Sequence, residues 1–393
     1  MIIGFEGTPI CYNQLTGIGI HEKELCKSMI SNYPDDSYVF SYFADIFRGK
    51  QKHKIMQQYL SENVELKSFP LISAGLYRLI WGILPIPYRF FFGGKPEITH
   101  FFNFLLPPGV KGKKVVTVHD LAFVRYPETV AFKTRKALSL RLSKTLKKAD
   151  HIFVASDFTA RELDELYGVP AKKMTTVYAG VDKNVFRPME FSECKDILEA
   201  KGLDDKSYFF YLGTIEPRKN IKRMIYAYLQ TIKKLNAEGR GTIPLVIGGK
   251  LGWYYEEILK LIKSEGIEDK IILAGYLEDK EKVALYSRAR AFVFPSLYEG
   301  FGIPVLEAMA CATPVLTSNV SSLPEVVGDK AILCNPFDVN EIADGIYRLA
   351  TDESLCGVLS REGFERSKMF SWDTSARVMH KVYENLVGGI KNQ

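Results

Sequence analysis

The sequence predicts an α/β protein made of two doubly wound, parallel-sheet domains. Three observations carry this expectation. The chain has 393 residues, which suits two domains rather than one. Its 47% hydrophobic and 25% charged content is that of an ordinary globular protein with material for two cores. Short apolar runs recur, several followed by a glycine-bearing turn and a helical pattern, as strand, loop and crossover helix require. Residues 291–314, AFVFPSLYEGFGIPVLEAMACATP, show the unit whole. Ala291-Phe292-Val293-Phe294 reads as a buried parallel strand, and Pro295 and Ser296 stop it. Gly300 and Gly302 make a turn, and Val305, Leu306, Ala308 and Met309 mark a helix ending before Pro314. An open α/β sheet binds ligands beyond the carboxyl ends of its strands, where a helix N-terminus favours an anion. Glu299 and Glu307 frame this turn. Carboxylates are poor phosphate ligands there, but good acceptors for sugar or ribose hydroxyls.

Taken in order, the chain opens with a strand over residues 1–5 and shows no basic-then-apolar leader, so no signal peptide is expected. The six cysteines are scattered without a C-x-x-C pair, and Cys311 and Cys334 sit in apolar contexts. That argues against a disulfide framework or zinc site and for a reducing cytoplasm. Residues 6–19, EGTPICYNQLTGIG, lead into an amphipathic helix marked by Ile20, Leu25, Met29 and Ile30. Gly17 and Gly19 at its start fit a plain strand-to-helix turn as well as a loop that approaches a ligand.

Residues 69–94 are the most apolar stretch, but Arg78, Arg89 and the prolines break it, so it does not span a membrane. It reads either as a core helix with a loop or as a surface dipping into a membrane, with Tyr77, Trp81 and Tyr88 at the interface. Val115-Val116-Thr117-Val118 is a buried strand that puts His119 and Asp120 at its carboxyl end, with His119 the site candidate and Asp120 orienting the loop. Residues 133–148, KTRKALSLRLSKTLKK, hold seven basic residues and no acid, with Leu138, Leu142 and Leu146 at helical spacing. This is a basic amphipathic helix whose leucines face the core and whose charged face suits anionic lipid. A strand over 152–156 follows, and Ser156 caps a helix beginning near Thr159.

Charge is unevenly spread. Residues 1–185 carry 25 Lys+Arg against 17 Asp+Glu, a balance of +8, and the remainder 27 against 29, a balance of −2. The basic half favours anionic partners such as a membrane surface, lipid phosphates or acidic glycans. No recognition motif accompanies the charge, so nucleic acid is not an expected partner.

Residues 183–205, charged and containing Pro188, mark the domain crossover, with the boundary after residue 185. The second sheet begins at residues 208–212. The loop GTIEPRKN, 213–220, follows, and then a helix from Ile221. Arg218 and Lys219 thus sit in a strand-to-helix loop, a cationic version of the phosphate cradle. Residues 244–250 and 271–277 are strands with glycine turns, and 315–318 are a further strand.

The pattern PS-x-x-EGFG-x-P-x-LEAMA-x-x-TPV, with Glu299 and Glu307 spaced E-x7-E, resembles the signature of retaining nucleotide-sugar glycosyltransferases of family 4. Their fold is GT-B, two Rossmann-like domains facing across a cleft. The resemblance spans nearly the whole chain and is strongest over 208–325. It implies an acceptor-binding domain over 1–185, onto which a terminal helix of about 374–393 packs back, and a nucleotide-sugar domain over 186–373. It makes VYAGVD, 177–182, the last strand of the first domain, and LPEV, 323–326, structural. By the same resemblance Gly17 and Gly19 let backbone approach the donor, and His119 hydrogen-bonds the donor sugar. Arg218 and Lys219 clamp the diphosphate, and the turns at Gly248, Tyr276 and Leu277 border the nucleobase. Glu299 and the backbone of Gly300, Phe301, Gly302 and Ile303 hold the sugar, and Glu307 holds the ribose. One position departs from the pattern: the family has an arginine directly after the glycine, where this chain has Thr214. Arg218 would then reach in from the other side of the loop, while Lys219 matches the family's lysine.

The resemblance implies a hexosyltransferase of surface-polysaccharide assembly, acting in the cytoplasm or at the inner membrane face. GDP-mannose is the leading donor and a UDP-hexose such as UDP-glucose the alternative. The acceptor is a glycan or lipid-linked oligosaccharide. Configuration is retained by front-face attack, the leaving phosphate taking the acceptor's proton. No D-x-D stands at a strand end, so neither a metal nor a cofactor beyond the donor is expected. A sugar-nucleotide epimerase shares the fold, and the E-x7-E loop argues against it. A non-catalytic glycan-binding protein is a third reading, which the intact Glu299, Glu307, Lys219 and His119 disfavour.

Overall fold

The computed structural model describes the chain apart from residues 82–83, 206, 251, 253 and 392–393, and apart from the side chains of 389–391. Residues 82–83 of the apolar stretch and 392–393 of the terminal helix therefore lie outside the described residues. The chain forms two units, Met1–Ala179 with Trp372–Gln393, and Gly180–Ser371.

In the first unit β1 (Ile2–Glu6), β2 (Ser37–Phe43), β3 (Val64–Phe69), β4 (Ile98–Phe101), β5 (Lys113–Val118), β6 (His151–Val154) and β7 (Met174–Thr176) form one sheet in the order β3-β2-β1-β4-β5-β6-β7. Every pairing is parallel, so each connection crosses over the sheet and covers it. The strand order reverses between β1 and β4. Buried Phe43, Phe101, Val116, Val118, Leu142 and Leu146 belong to one continuous core cluster. The helix Gly17–Asn32 starts at Thr16, whose hydroxyl accepts from Gly19 N.

The terminal helix Trp372–Lys391 belongs to this unit. Its Asp373 carboxylate accepts from the Ser28 hydroxyl and, at 2.9 Å, from Asn32 Nδ2. Its Tyr383 hydroxyl lies 2.6 Å from His100 Nδ1, and His380 Nε2 lies 2.8 Å from Asp36 Oδ2.

In the second unit β8 (Phe209–Leu212), β9 (Leu245–Gly248), β10 (Ile271–Gly275), β11 (Ala291–Phe294), β12 (Val315–Ser318) and β13 (Ile332–Cys334) form a parallel sheet in the order β10-β9-β8-β11-β12-β13. Here the order reverses between β8 and β11. All four residues of each of β8, β9, β11 and β12 are buried, as the unbroken apolar runs require of strands covered on both faces.

The structure corrects one expectation, adds one helix and decides between two readings. The last strand of the first sheet is Met174–Thr176, not 177–182. Its partner β6 ends at Val154, opposite Thr176, and only one further bond, Val177 N to Val154 O at 2.9 Å, continues the ladder. The crossover region contains a helix, Phe191–Glu199, hidden by its charge. Glu190 and Glu193 form a reciprocal capping box, and Cys194 and Leu198 are buried. Tyr77 and Tyr88 are not interfacial but buried in the core cluster, and Trp81 packs against it. Trp81 also carries the Arg141 guanidinium 5.7 Å above its ring, and Arg141 donates to the Arg78 carbonyl at 2.6 Å. The apolar side chains that this stretch exposes are instead Leu71, Leu76, Leu79, Leu84 and Phe90. Among the described residues, no helix is long and apolar enough to cross a membrane.

Candidate active site

In the second sheet, the strand order reverses at β8 and β11, so the loops leaving these neighbours splay to opposite faces and leave a crevice. The loop after β8 is 213–220 and the loop after β11 is 295–302. They are sewn together. Leu297 N donates to the Arg218 carbonyl at 2.8 Å, and Ser296 Oγ lies 3.1 Å from the same oxygen. Asn220, in the left-handed region at φ 59°, donates to the Pro295 carbonyl at 2.9 Å and the Pro336 carbonyl at 2.7 Å. These contacts fix the two side chains that precede it.

Lys219 Nζ donates to Glu299 Oε1 at 2.7 Å, and Arg218 Nη1 donates to Glu299 Oε2 at 3.0 Å. Arg218 also reaches the Tyr298 carbonyl at 2.7 Å and Glu216 Oε1 at 2.8 Å, and Ser296 Oγ donates to Glu299 Oε1 at 2.6 Å. Burial pushes the Glu299 carboxyl up, but the Arg218 and Lys219 charges and the hydrogen bonds from Lys219 and Ser296 outweigh it and hold the group at about 2. Glu299 is therefore a carboxylate throughout the physiological range.

Glu307, in the helix Ile303–Ala310, is the opposite case. It is buried, burial raises its carboxyl to about 7, and Lys282 and the Tyr286 hydroxyl, which donates to Oε2 at 3.1 Å, only partly offset this. Gly302 opens that helix at φ 110°, and a Cβ there would lie 2.8 Å from Leu323 Cδ2. Only glycine makes this turn without strain.

The neighbouring turns are equally tight. A Cβ on Gly248 would stand 2.7 Å from Leu277 Cδ1, and one on Gly249 would stand 2.0 Å from the Gly213 carbonyl oxygen. Thr214 is exposed at the start of the β8 loop, and Tyr276 is 46% exposed beyond β10, with Lys250 Nζ 5.7 Å from its ring centre. Leu277 and Phe301 are buried, Phe301 against Phe370 at 5.6 Å, so only their backbone remains for a ligand.

His119, Gly17 and Gly19 lie in the first unit. His119 is buried at the end of β5, and its Nε2–H donates to the Phe102 carbonyl at 2.7 Å. Because a carbonyl only accepts, Nδ1 is left as an acceptor. Burial lowers the ring's pKa, so the imidazole is neutral. His21 meets it edge-on, with ring centres 5.0 Å apart. Asp120 Oδ1 accepts from Ala122 N at 3.0 Å and so shapes the loop. A Cβ on Gly19 would lie 3.0 Å from the Pro9 carbonyl oxygen, whereas one on Gly17 would meet nothing within 4 Å.

Sequence reasoning passed over Glu216, Ser296, Tyr286 and Lys282, which act only through charges placed elsewhere in the chain. It also passed over Glu6, at the β1 end of the first sheet's reversal, where Glu6, Arg78 and Asn103 line a cavity of about 20 Å³, room for one water.

Two Rossmann-like sheets with a cation-bearing loop at the reversal of the second define the GT-B class of glycosyltransferases. Solved structures agree on the fold. Sucrose-phosphate synthase from Thermosynechococcus elongatus superposes with a TM-score of 0.77 at 19% identity, covering 99% of this chain and 100% of that one. Anabaena HepE, in complex with UDP and glucose, superposes with a TM-score of 0.71 at 17% identity, covering 98% and 100%. The family model "Glycosyltransferase Family 4" matches residues 17–185, and "Glycosyl transferases group 1" matches 195–366. O-antigen chain mannosyltransferase B of Escherichia coli is 32% identical over 397 residues, covering 98% of this chain and 100% of that protein. The chain belongs to glycosyltransferase family 4.

Proposed function

We propose that this glycosyltransferase moves mannose from GDP-mannose to a glycan or lipid-linked acceptor in surface-polysaccharide assembly, with retention of configuration and without a metal. The observation that carries the reading is the cluster of Glu299, Arg218 and Lys219 at the sheet reversal, in a chain similar along its length to an O-antigen mannosyltransferase.

The chemistry follows from the residues. Breaking the sugar–phosphate bond leaves negative charge on a diphosphate, and preorganised cations lower the barrier most where that charge develops. The Lys219 ammonium has three donors, of which Glu299 takes one. Arg218 is held beside it, and the Ile303 N–H after Gly302 completes the anion-favouring rim, since Pro304 has none and Val305 and Leu306 donate to the Gly302 carbonyl. Glu299 keeps both cations in place and offers acceptor oxygens to sugar hydroxyls. Glu307 serves the ribose. Neutral His119, with Nδ1 free to accept, suits a sugar hydroxyl rather than an anion. The leaving phosphate takes the acceptor's proton, so no protein base is needed. The +8 first half would hold the enzyme near an anionic membrane that carries the acceptor.

A thermal-shift screen of GDP-mannose, UDP-glucose and other nucleotide sugars tests the donor, because a ligand that binds only the folded state raises its stability. Preferential stabilisation by GDP-mannose, with transfer of α-mannose seen by NMR, is expected. A response to UDP-hexoses alone would replace mannose by the alternative donor.

A further inference from the structure

Tyr211, in β8, is fully buried, and among the described residues its hydroxyl has no hydrogen-bond partner. Other tyrosines buried as deeply in the same unit are satisfied. Tyr208 donates to the Leu285 carbonyl at 3.0 Å, Tyr228 to the Ile243 carbonyl at 2.9 Å, and Tyr286 to Glu307 Oε2 at 3.1 Å. A buried donor without an acceptor is costly, and phenylalanine would fill the same space without that cost.

The hydroxyl stands at the candidate site. The Tyr211 ring stacks on Phe294 with ring centres 5.7 Å apart, and the Lys219 ammonium lies 5.0 Å from the centre of the Phe294 ring. Tyr211 Oη fills the space beside Gly213, the first residue of the β8 loop, where a Cβ would lie 2.7 Å from it. Burial pushes the phenol well above its ordinary value, so it keeps its proton; among the charges that act on it Glu299 comes first, then Glu216 and Arg218. An ionised carboxylate has room for about four hydrogen bonds. Glu299 accepts three, from Lys219, Ser296 and Arg218. Two of those donors are the cations proposed for the diphosphate, which competes for the same N–H groups. Glu299 is buried, so water is not at hand to replace a donor that turns away. An uncommitted phenol beside it is.

We propose that Tyr211 is a positioning residue: as the donor's diphosphate draws on Lys219 and Arg218, the Tyr211 hydroxyl donates to Glu299 and keeps that carboxylate in place. The inference rests on the diphosphate reading of this cluster. Tyr211 does for Glu299 in the loaded site what Tyr286 already does for Glu307.

The test uses GDP and UDP as probes, because the diphosphate is common to both. Calorimetry on the full chain reads the affinity for whichever nucleotide wild type binds, and thermal melts without nucleotide read stability. Tyr211→Phe removes only the hydroxyl. It should melt at or above wild type, yet bind the nucleotide on the order of tenfold more weakly, as losing a hydrogen bond to a charged group implies. A second comparison needs no ligand. In Lys219→Ala the Glu299 carboxylate lacks a donor even in the empty protein, so the phenol should already be engaged. Tyr211→Phe should then lower the melting temperature in the Lys219→Ala background, although it does not in wild type. A lower melting temperature for Tyr211→Phe alone would mean that the hydroxyl is satisfied in the empty protein. Unchanged nucleotide affinity would mean that it plays no part in the loaded site. The same melting shift in both backgrounds would mean that it does not act through Glu299. Each of these results overturns the assignment and leaves the diphosphate reading intact. Binding of neither nucleotide by wild type would overturn both.

Discussion

The Lys219 ammonium donates to Oε1 of Glu299 at 2.7 Å across 80 positions of sequence, and Arg218 holds the carboxylate's other oxygen at 3.0 Å. One buried carboxylate thus anchors both cations that we propose for the donor diphosphate, so the contacts that hold the loops together would also serve catalysis.

That sharing can be pulled apart by mutation. Lys219→Ala or Arg218→Ala should cut transfer on the order of a hundredfold, as losing one preorganised charge donor does. Lys219→Ala also leaves the buried Glu299 charge to Arg218 and Ser296 and should destabilise the fold by about 1–3 kcal/mol. Adding Glu299→Gln should recover melting temperature without recovering transfer. Initial rates and thermal melts read the two effects separately. Near-wild-type turnover in both single variants would place the diphosphate clamp elsewhere.

Glu307 gives a pH dependence of the opposite sign to a paired carboxylate. Burial raises it from 4.5 to about 7, so folding takes up a proton. Its stabilising contribution is whole below the ordinary carboxyl value and is lost as pH rises through about 7. Glu307→Gln should therefore melt increasingly above wild type as the buffer is made alkaline, and not in mild acid. If Glu307 accepts from the ribose hydroxyls, nucleotide affinity should climb as the wild-type group ionises and stay flat in the variant. Parallel pH profiles for the two proteins would remove Glu307 from both roles.

The paired glycines at the first helix separate packing from ligand approach. Gly19→Ala drives a Cβ to 3.0 Å from the Pro9 carbonyl and should lower stability. Gly17→Ala meets nothing within 4 Å, so stability should hold or rise by up to about 1 kcal/mol. If Gly17 faces the donor, the same variant should nevertheless raise KM for the nucleotide sugar. Unchanged kinetics in a well-folded Gly17→Ala protein would make this a plain turn.

Metal independence is checked most simply. If Arg218 and Lys219 supply the charge to the leaving group, transfer in excess EDTA should match transfer in untreated buffer. Complete loss, restored by magnesium or manganese, would mean that a bound cation does this work.

Sequence alone settled what local pattern controls. The unbroken apolar runs at β8 and β11 had to be strands covered on both faces. The glycines after β11 and the GTIEPRKN loop after β8 had to be strand-to-helix turns, and the E-x7-E pattern within them identified the family. Leucines at helical spacing in the basic helix had to turn inward, and Leu138, Leu142 and Leu146 are buried there. The helix Phe191–Glu199 escaped notice because its capping acids read as loop charge. Tyr77 and Tyr88 were ambiguous because an aromatic in an apolar run looks the same whether it faces lipid or core. Only the tertiary structure decided what depends on neighbours distant in sequence. Glu299 and Glu307 are the same residue type eight positions apart, yet one is held at about 2 and the other at about 7. The difference is two cations brought across from β8 to Glu299, whereas around Glu307 burial prevails, and no spacing along the chain encodes a local field.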